Sequence, residues 1–212
     1  VGRFMPRRIE PILEEIEHWH RRYDWEWISF ATEIFFQSDE DIVEFCREYQ
    51  KMGLRKPWGC CYRMDQSLEL LPLMKEAGCA IITAGLESGS ENILPKLKRG
   101  CTVDQFERTL EAARKIGLVV DSPFMMTNED ETEEDLKKTI DFVIDHKMDA
   151  NFGLVATYPG VPIYVRARRT GMIEDEWDYM TNRMKEWPWR SSAVAEMDYF
   201  NISAMSDARV FG

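Results

Sequence analysis

The chain has 212 residues, 44% of them hydrophobic and 31% charged, with a formal net charge of −11. That size suits one folded domain with a sizeable core, and the acidic balance argues against a nucleic-acid surface, which needs a clustered basic face. No apolar run approaches the roughly 20 residues that cross a bilayer as a helix, and Arg3, Arg7 and Arg8 are not followed by the apolar stretch of a secretory signal. Five cysteines without such a signal point to free thiols in a reducing, cytoplasmic setting.

The pattern begins helically over Pro6–Tyr23, where Ile9, Ile12, Leu13 and Ile16 recur at helical spacing. Glu26–Phe30 reads as a strand and runs into Ala31–Phe36; Ser38 then caps a helix that Gly53 ends. Lys56–Tyr62 is the next strand, Leu68–Ala77 a helix stopped at Gly78, and Cys79–Leu86 a buried strand. A helical pattern over Glu91–Leu97 follows it. Thr102 opens a helix reaching Ile116, and Leu118–Met126 is a strand in which Pro123 must sit where no ladder donor is needed. Thr132-Glu-Glu-Asp135 has capping-box form and starts a helix to His146. Ala150–Thr157 is a strand, Ile163–Thr170 a short helix, and the chain beyond Trp177, with Trp187-Pro188-Trp189 inside it, is irregular. Residues 179–212 read as a C-terminal extension, packed or poorly ordered, behind a domain over 1–178. Alternating strands and helices without a linker predict parallel strands with right-handed crossovers, in a doubly wound sheet or a barrel.

Such folds put every strand's carboxyl end on one face, and α/β sites lie there. The residues so placed are Thr32 and Glu33; Cys60, Cys61 and Arg63; Glu87 and Ser88; Phe124; Thr157 and Tyr158. Arg99 follows the short helical pattern. A carboxylate that can take ribose hydroxyls, guanidiniums that can hold a carboxylate, and hydroxyl donors suit a zwitterionic, ribose-containing ligand. Blander accounts exist for each: Arg63 can pair with Asp65, Arg99 with Asp104, and Ser88 or Ser90 can cap a helix. Gly85-Leu-Glu-Ser-Gly-Ser lacks the third glycine of a dinucleotide fingerprint, and no phosphate-binding Gly-x4-Gly-Lys-Ser/Thr is present. His18, His20 and His146 all fall on amphipathic helices, which gives histidine acid–base chemistry little support. Cys60 and Cys61 are adjacent and lack chelating spacing; Cys46, Cys79 and Cys101 read as core packing.

Ala84-Gly-Leu-Glu-Ser-Gly-Ser-Glu-Asn-Ile-Leu94, then Lys98-Arg-Gly-Cys-Thr102, resemble the most recognisable internal motif of the radical S-adenosylmethionine (SAM) enzymes. Phe30-Ala-Thr-Glu-Ile-Phe35, Trp58…Arg63-Met-Asp65 and Met74-Lys-Glu-Ala-Gly78 upstream, and Phe124-Met-Met, Glu131-Thr-Glu-Glu-Asp135…Thr139-Ile140 and Tyr158-Pro-Gly-Val-Pro-Ile-Tyr164 downstream, complete the set in matching order. The set is most similar to the branch often preceded by a cobalamin-binding domain, and it covers roughly Arg7 to Asp178. The resemblance implies an α/β fold, a partial (β/α)6 TIM-like barrel of parallel strands, here lacking its first strand. It implies SAM bound to a 4Fe–4S cluster, cobalamin through a separate domain, a reductant such as flavodoxin or ferredoxin, and a small-molecule or peptide substrate. By motif position Glu87 and Ser88 would contact SAM, Arg99 would face its carboxylate, Thr32 and Glu33 would lie near its amino group, Arg63 would line the site, and Phe124 would offer backbone near the adenine.

The sequence departs from the family in three places. The family's Cys-x3-Cys-x2-Cys cluster motif is absent and is expected upstream of Val1, so this chain alone is expected not to cleave SAM. The usual Gly-x-Pro-Gly-Glu-Thr turn reads Thr127-Asn-Glu-Asp-Glu-Thr132, which predicts a loop of another shape. Thr32 stands where the family usually has Asp. Two further readings remain: a cluster-less barrel that binds SAM or a partner without catalysis, and a cluster-free enzyme using Glu33 and Glu87 as acid and base.

Overall fold

The computed structural model describes residues 5–32, 34–97, 100–155, 157–183 and 201–211. In chain order it contains α1 (Ile9–His20), β1 (Ile28–Ser29), α2 (Asp39–Lys51), β2 (Trp58–Cys61), α3 (Leu70–Glu76), β3 (Cys79–Thr83), α4 (Val103–Lys115), β4 (Val119–Met126), α5 (Glu133–Asp145), β5 (Ala150–Leu154) and α6 (Pro162–Arg169). A single turn, α7 (Glu176–Asp178), runs into a π-helical turn at Tyr179–Arg183, and α8 (Asp207–Phe211) ends the described chain. The five strands lie in the order β1-β2-β3-β4-β5 and every pairing is parallel. Strands adjacent in sequence are adjacent in space throughout, so the order never reverses as it does in a doubly wound sheet. The architecture is α/β, a curled half-barrel.

Helix boundaries follow local chemistry. Ser38 accepts from the Asp41 amide at 3.1 Å to start α2, and Thr102 and Thr132 each form a reciprocal capping box, with Gln105 and Asp135. Residues 91–97 form successive turns instead of the expected helix. Pro95 has no N–H to give and disfavours the helical conformation of Leu94. The strand expected over Glu26–Phe30 shortens to two residues, and β3 ends at Thr83 instead of Leu86. Pro123 pairs with Asn151 of β5 beyond the last β3 partner, Asp121, where the ladder with β3 has already ended.

Two cores fill the layer between helices and sheet. In the first, Trp58 of β2 is fully buried, donates its indole N–H to the Ala77 carbonyl at 2.9 Å, and lies 5.4–5.9 Å in ring centroids from Phe30, Phe35 and Phe45. The second joins Leu86, Leu94, Phe106, Leu110, Phe124 and Phe142, from α4, α5, β4 and the segment after β3. Cys46, Cys79 and Cys101 are buried, as packing residues should be.

The turn at 127–132 contains two left-handed residues. Thr127 and Asp130 sit at φ +62° and +58°, at the two positions where the turn of the resembled family has glycine. Glu131, fully buried, closes the loop by accepting from the Asn128 amide (3.1 Å) and side-chain amide (3.2 Å). Part of the C-terminal extension packs here: the Asp130 amide donates to the Ile202 carbonyl at 3.3 Å and the Ala204 amide to the Glu131 carbonyl at 2.9 Å. Trp187-Pro188-Trp189 lies outside the described residues.

A left-handed conformation at a non-glycine residue costs about 1–2 kcal/mol, against which glycine's larger unfolded-state entropy takes back roughly 0.4–1 kcal/mol. Asp130 is exposed, so its ion pairs with Lys96 (3.7 Å) and Arg166 (3.8 Å) contribute little. Asp130→Gly should therefore be more stable than Asp130→Ala by about 0.5–1 kcal/mol in chemical denaturation. Equal stabilities would show that the loop does not hold this φ.

Candidate functional site

The carboxyl ends of β2, β3 and β4 open on one cavity of about 600 Å³, lined among others by Cys61, Arg63, Asp65, Thr83, Gly85, Glu87 and Pro123. Its geometry starts from the way β3 ends. The ladder with β4 pairs Thr83 with Asp121, breaks, and resumes as a single bridge between Glu87 and Phe124. The chain takes four steps on one side and three on the other, which is the one-residue excess of a β-bulge. Glu87 absorbs the misfit at φ +71°, and the Met125 amide donates to its carbonyl at 2.7 Å. The carboxylate folds back over Gly85: a Cβ there would lie 2.6 Å from Glu87 Oε1. Gly85 is thus the bare floor on which a nearly buried carboxylate rests, at 6% exposure.

Arg63 follows β2, and its guanidinium grips Asp65 through both Nε (2.8 Å to Oδ1) and a terminal nitrogen. The hydrogen bonds and charge of that partner hold the Asp65 carboxyl below the usual carboxylate range. Side chains alternate along a strand, so Cys61 reaches the cavity while Cys60 enters the core. A hydrogen bond with Cys79, then burial, push the Cys60 thiol well up, which leaves it a protonated packing group.

Residues 88–92 are fastened to the first two turns of α5. Ser88 is fully buried, its hydroxyl 3.2 Å from Thr139 Oγ1, and it accepts from the Ser90 amide at 3.2 Å. The Gly89 amide donates to Thr139 Oγ1 at 2.9 Å. The Asp135 carboxylate accepts four hydrogen bonds: Ser90 hydroxyl (2.6 Å) and Asn92 amide (3.2 Å) on Oδ1, Thr132 hydroxyl (2.7 Å) and Thr132 N–H (3.2 Å) on Oδ2. Four donors match its four lone-pair sites. Burial raises the pKa of this carboxyl, but those donors together outweigh it and bring it down to about 2. Burial instead raises the Glu131 carboxyl, against the Asn128 donors.

Of the expected site residues, the structure brings Arg63 and Glu87 to one cavity and puts the Phe124 backbone beside Glu87. The Phe124 ring is buried against Phe142 and Phe152. Ser88 faces α5. Thr32 is exposed, donates to the Ile34 carbonyl at 2.9 Å, and lines a neighbouring apolar groove between α1 and β1; Ile34 borders both spaces. Glu33 and Arg99 lie outside the described residues. Thr157, another strand-end residue, accepts from the Tyr179 hydroxyl on its carbonyl at 2.7 Å and is buried. Sequence reasoning missed the roles of Gly85, Asp135 and Thr139. The spacing of four between Asp135 and Thr139 puts both on one helix face, and that signal was available.

The parallel half-barrel with its cavity at the strand ends defines a class, and comparison gives the family. The radical SAM superfamily model matches residues 2–143, and the chain belongs to that superfamily. It is 28% identical over 173 residues to an uncharacterized methyltransferase of Pyrococcus horikoshii, an alignment covering 81% of this chain and 38% of that protein. It is 28% identical over 157 residues to the anaerobic magnesium-protoporphyrin IX monomethyl ester cyclase of Rubrivivax gelatinosus, covering 72% and 28%. Among solved structures, the radical SAM methyltransferase TsrM from Kitasatospora setae, with cobalamin and a 4Fe–4S cluster bound, matches with a TM-score of 0.68 at 16% identity, over 77% of this chain and 32% of that one. The cobalamin-dependent radical enzyme OxsB, with aqua-cobalamin and SAM bound, matches at 0.57 and 21% identity, over 65% and 22%. These structural likenesses concern the fold. The chain spans less than two-fifths of the length of either curated relative.

Two predictions follow from the loop. A Cβ on Gly89 would lie 2.8 Å from Thr139 Cα and 2.9 Å from the Lys138 carbonyl, both backbone. Gly89→Ala should therefore cost about 1–3 kcal/mol, read by denaturant melts, and an unchanged midpoint would refute the packing described. The folded pKa of Asp135 lies below its ordinary 3.8. Its stabilisation is thus complete above the ordinary value and is lost as pH falls through about 2, a swing of about 2 kcal/mol. The acid limb of a stability–pH curve should flatten in Asp135→Asn. Glu131, with a raised pKa, works in the opposite sense: its contribution is full below its ordinary 4.5 and is lost as pH rises through the folded value.

Proposed function

We propose that this chain forms the SAM-binding part of a radical SAM enzyme that drives hydrogen abstraction or methyl transfer on a small-molecule or peptide substrate. The observation that carries the reading is the Glu87 carboxylate, laid over Gly85 by a bulge and set in a cavity with Arg63 where the strands of a superfamily member end. A carboxylate in that place suits ribose hydroxyls, since it accepts two directional hydrogen bonds and excludes competing water. Arg63, steadied by Asp65, supplies a fixed positive charge on the same wall. The Phe124–Met125 backbone borders Glu87 and suits an adenine edge. Ser88 serves by holding the loop, and Thr32, Glu33 and Arg99 are assigned to the amino-acid end of SAM on the family motif. SAM, when bound, would supply either its methyl group, leaving S-adenosylhomocysteine, or, on one-electron reduction by an outside donor, a 5′-deoxyadenosyl radical with methionine as the leaving group.

The residues present do not fit a 4Fe–4S cluster. Among the described residues no group of three or more His, Cys, Asp or Glu could hold a metal ion, and all five cysteines are among them. No step through iron is therefore derived for this chain. A second reading is a cluster-less barrel that binds SAM or a partner without catalysis. TsrM and OxsB, both solved with cobalamin, support a cobalamin-associated parent, and a flavodoxin or ferredoxin would be the reductant. Among the described residues no helix is long and apolar enough to cross a membrane. Free thiols support a cytoplasmic setting.

Isothermal titration of SAM into the chain is expected to show binding that Glu87→Gln weakens about 10- to 100-fold, the usual worth of a hydrogen bond to a charged group. Anaerobic treatment with iron and sulfide is expected to leave no 4Fe–4S absorption. Absent SAM binding would overturn the proposal, and a cluster spectrum would overturn the statement about the cysteines.

A further inference from the structure

A buried polar network with every member hydrogen-bonded lies beside the cavity and outside it. Thr139 is fully buried on α5, one turn after Asp135. One assignment of protons satisfies every contact. Thr139 Oγ1 accepts from the Gly89 amide and the Ser88 hydroxyl on its two lone pairs and donates to the Asp135 carbonyl at 3.3 Å, while Ser88 Oγ accepts from the Ser90 amide. Asp135 in turn binds the next residues, Ser90 and Asn92. The fastening begins at the residue immediately after Glu87, whose own carbonyl is held by Met125. Glu87 therefore sits between two fixed points, one on β4 and one on α5. Its left-handed φ has no intrinsic support in a residue that carries a side chain, so the surroundings must supply it.

We infer that Thr139 is a positioning residue for the cavity: its hydroxyl, backed by Asp135, holds the loop after β3 so that the Glu87 carboxylate is already placed for the ligand before binding. The inference rests on the reading of the cavity as a SAM site. Thr139 touches neither the cavity nor its contents. It acts by sparing the ligand the cost of ordering residues 87–90, which is how preorganisation raises affinity.

Thr139→Val keeps the shape and removes the hydroxyl. In the full chain, amide exchange at Gly89 and Ser90 should quicken about 10-fold or more, and SAM affinity by calorimetry should fall about 10-fold. Thr139→Ser should restore both. Ile42→Val, a core change on α2 remote from the loop, should alter neither, which separates positioning from general stability. Should Thr139→Val fail to fold, Ser88→Ala removes the other half of the contact and is expected to give the same two changes. Unchanged exchange overturns the clamp, and faster exchange with unchanged affinity overturns its positioning role. A wild-type chain that binds no SAM would remove the ligand reading, and the exchange measurement would still decide the clamp.

Discussion

A single hydrogen bond, from the Met125 amide to the Glu87 carbonyl at 2.7 Å, fixes the segment after β3 against β4. β3 leaves the ladder after Thr83 and would be free to turn directly into a helix, the simplest end for a parallel strand. It is instead drawn back to β4 at Glu87, with one residue too many between the two pairings. A bulge redirects a side chain at the cost of local pairing. Here Glu87 stays on the cavity face that it shares with Thr83 and Gly85, and its carboxylate lies over Gly85.

The alternation of parallel strands and helices was legible because its signal is periodic, whereas the barrel, rather than a doubly wound sheet, followed from the family resemblance. Alternating apolar strands and amphipathic helices with recognisable caps fixed the element order to within a few residues, and Ser38, Thr102 and Thr132 cap as their types require. The site was legible by position only. Alternation puts Glu87 on the face of Thr83 and Ser88 on the other, but the return of the segment to β4 at Glu87 is a tertiary event that local pattern does not show. Thr32 was drawn to the same mouth by the same logic, and it lies instead in the adjoining groove, its hydroxyl given to Ile34. The loop at 127–132 is a case where residue type says little about backbone: Thr127 and Asp130 hold left-handed conformations that glycine adopts without cost. Propensity yields there because the Glu131–Asn128 contacts and the docked segment at 202–204 over-determine the backbone.

The two buried carboxylates show how the same residue class serves opposite ends. Asp135 receives four donors and stays charged far into acid, whereas the Glu131 carboxyl has its pKa raised by burial, which outweighs its donors from Asn128 and the Thr127 backbone. A saturated carboxylate is a rigid four-point connector, and Asp135 uses that property to tie its own helix start, through Thr132, to the loop after β3, through Ser90 and Asn92. A buried network of this kind is favourable only when complete, since each unmatched group would cost more than its bond returns.

The bulge also marks the seam between the two cores. Cys79 and Ile82 of β3 belong to the core shared with β1, β2 and α1 to α3, whereas Ala84 and Leu86 belong to the core of α4, α5 and β4. Val120 of β4 packs against both. Ile82, Ala84 and Leu86 keep the alternation of β3 across this boundary and are all fully buried. Thr83, Gly85 and Glu87, the residues between and after them, line the cavity on the opposite face. The packing of Leu86 and the exposure of Glu87 to the cavity are therefore set by one alternation, and the left-handed angle of Glu87 lies where the segment returns to β4.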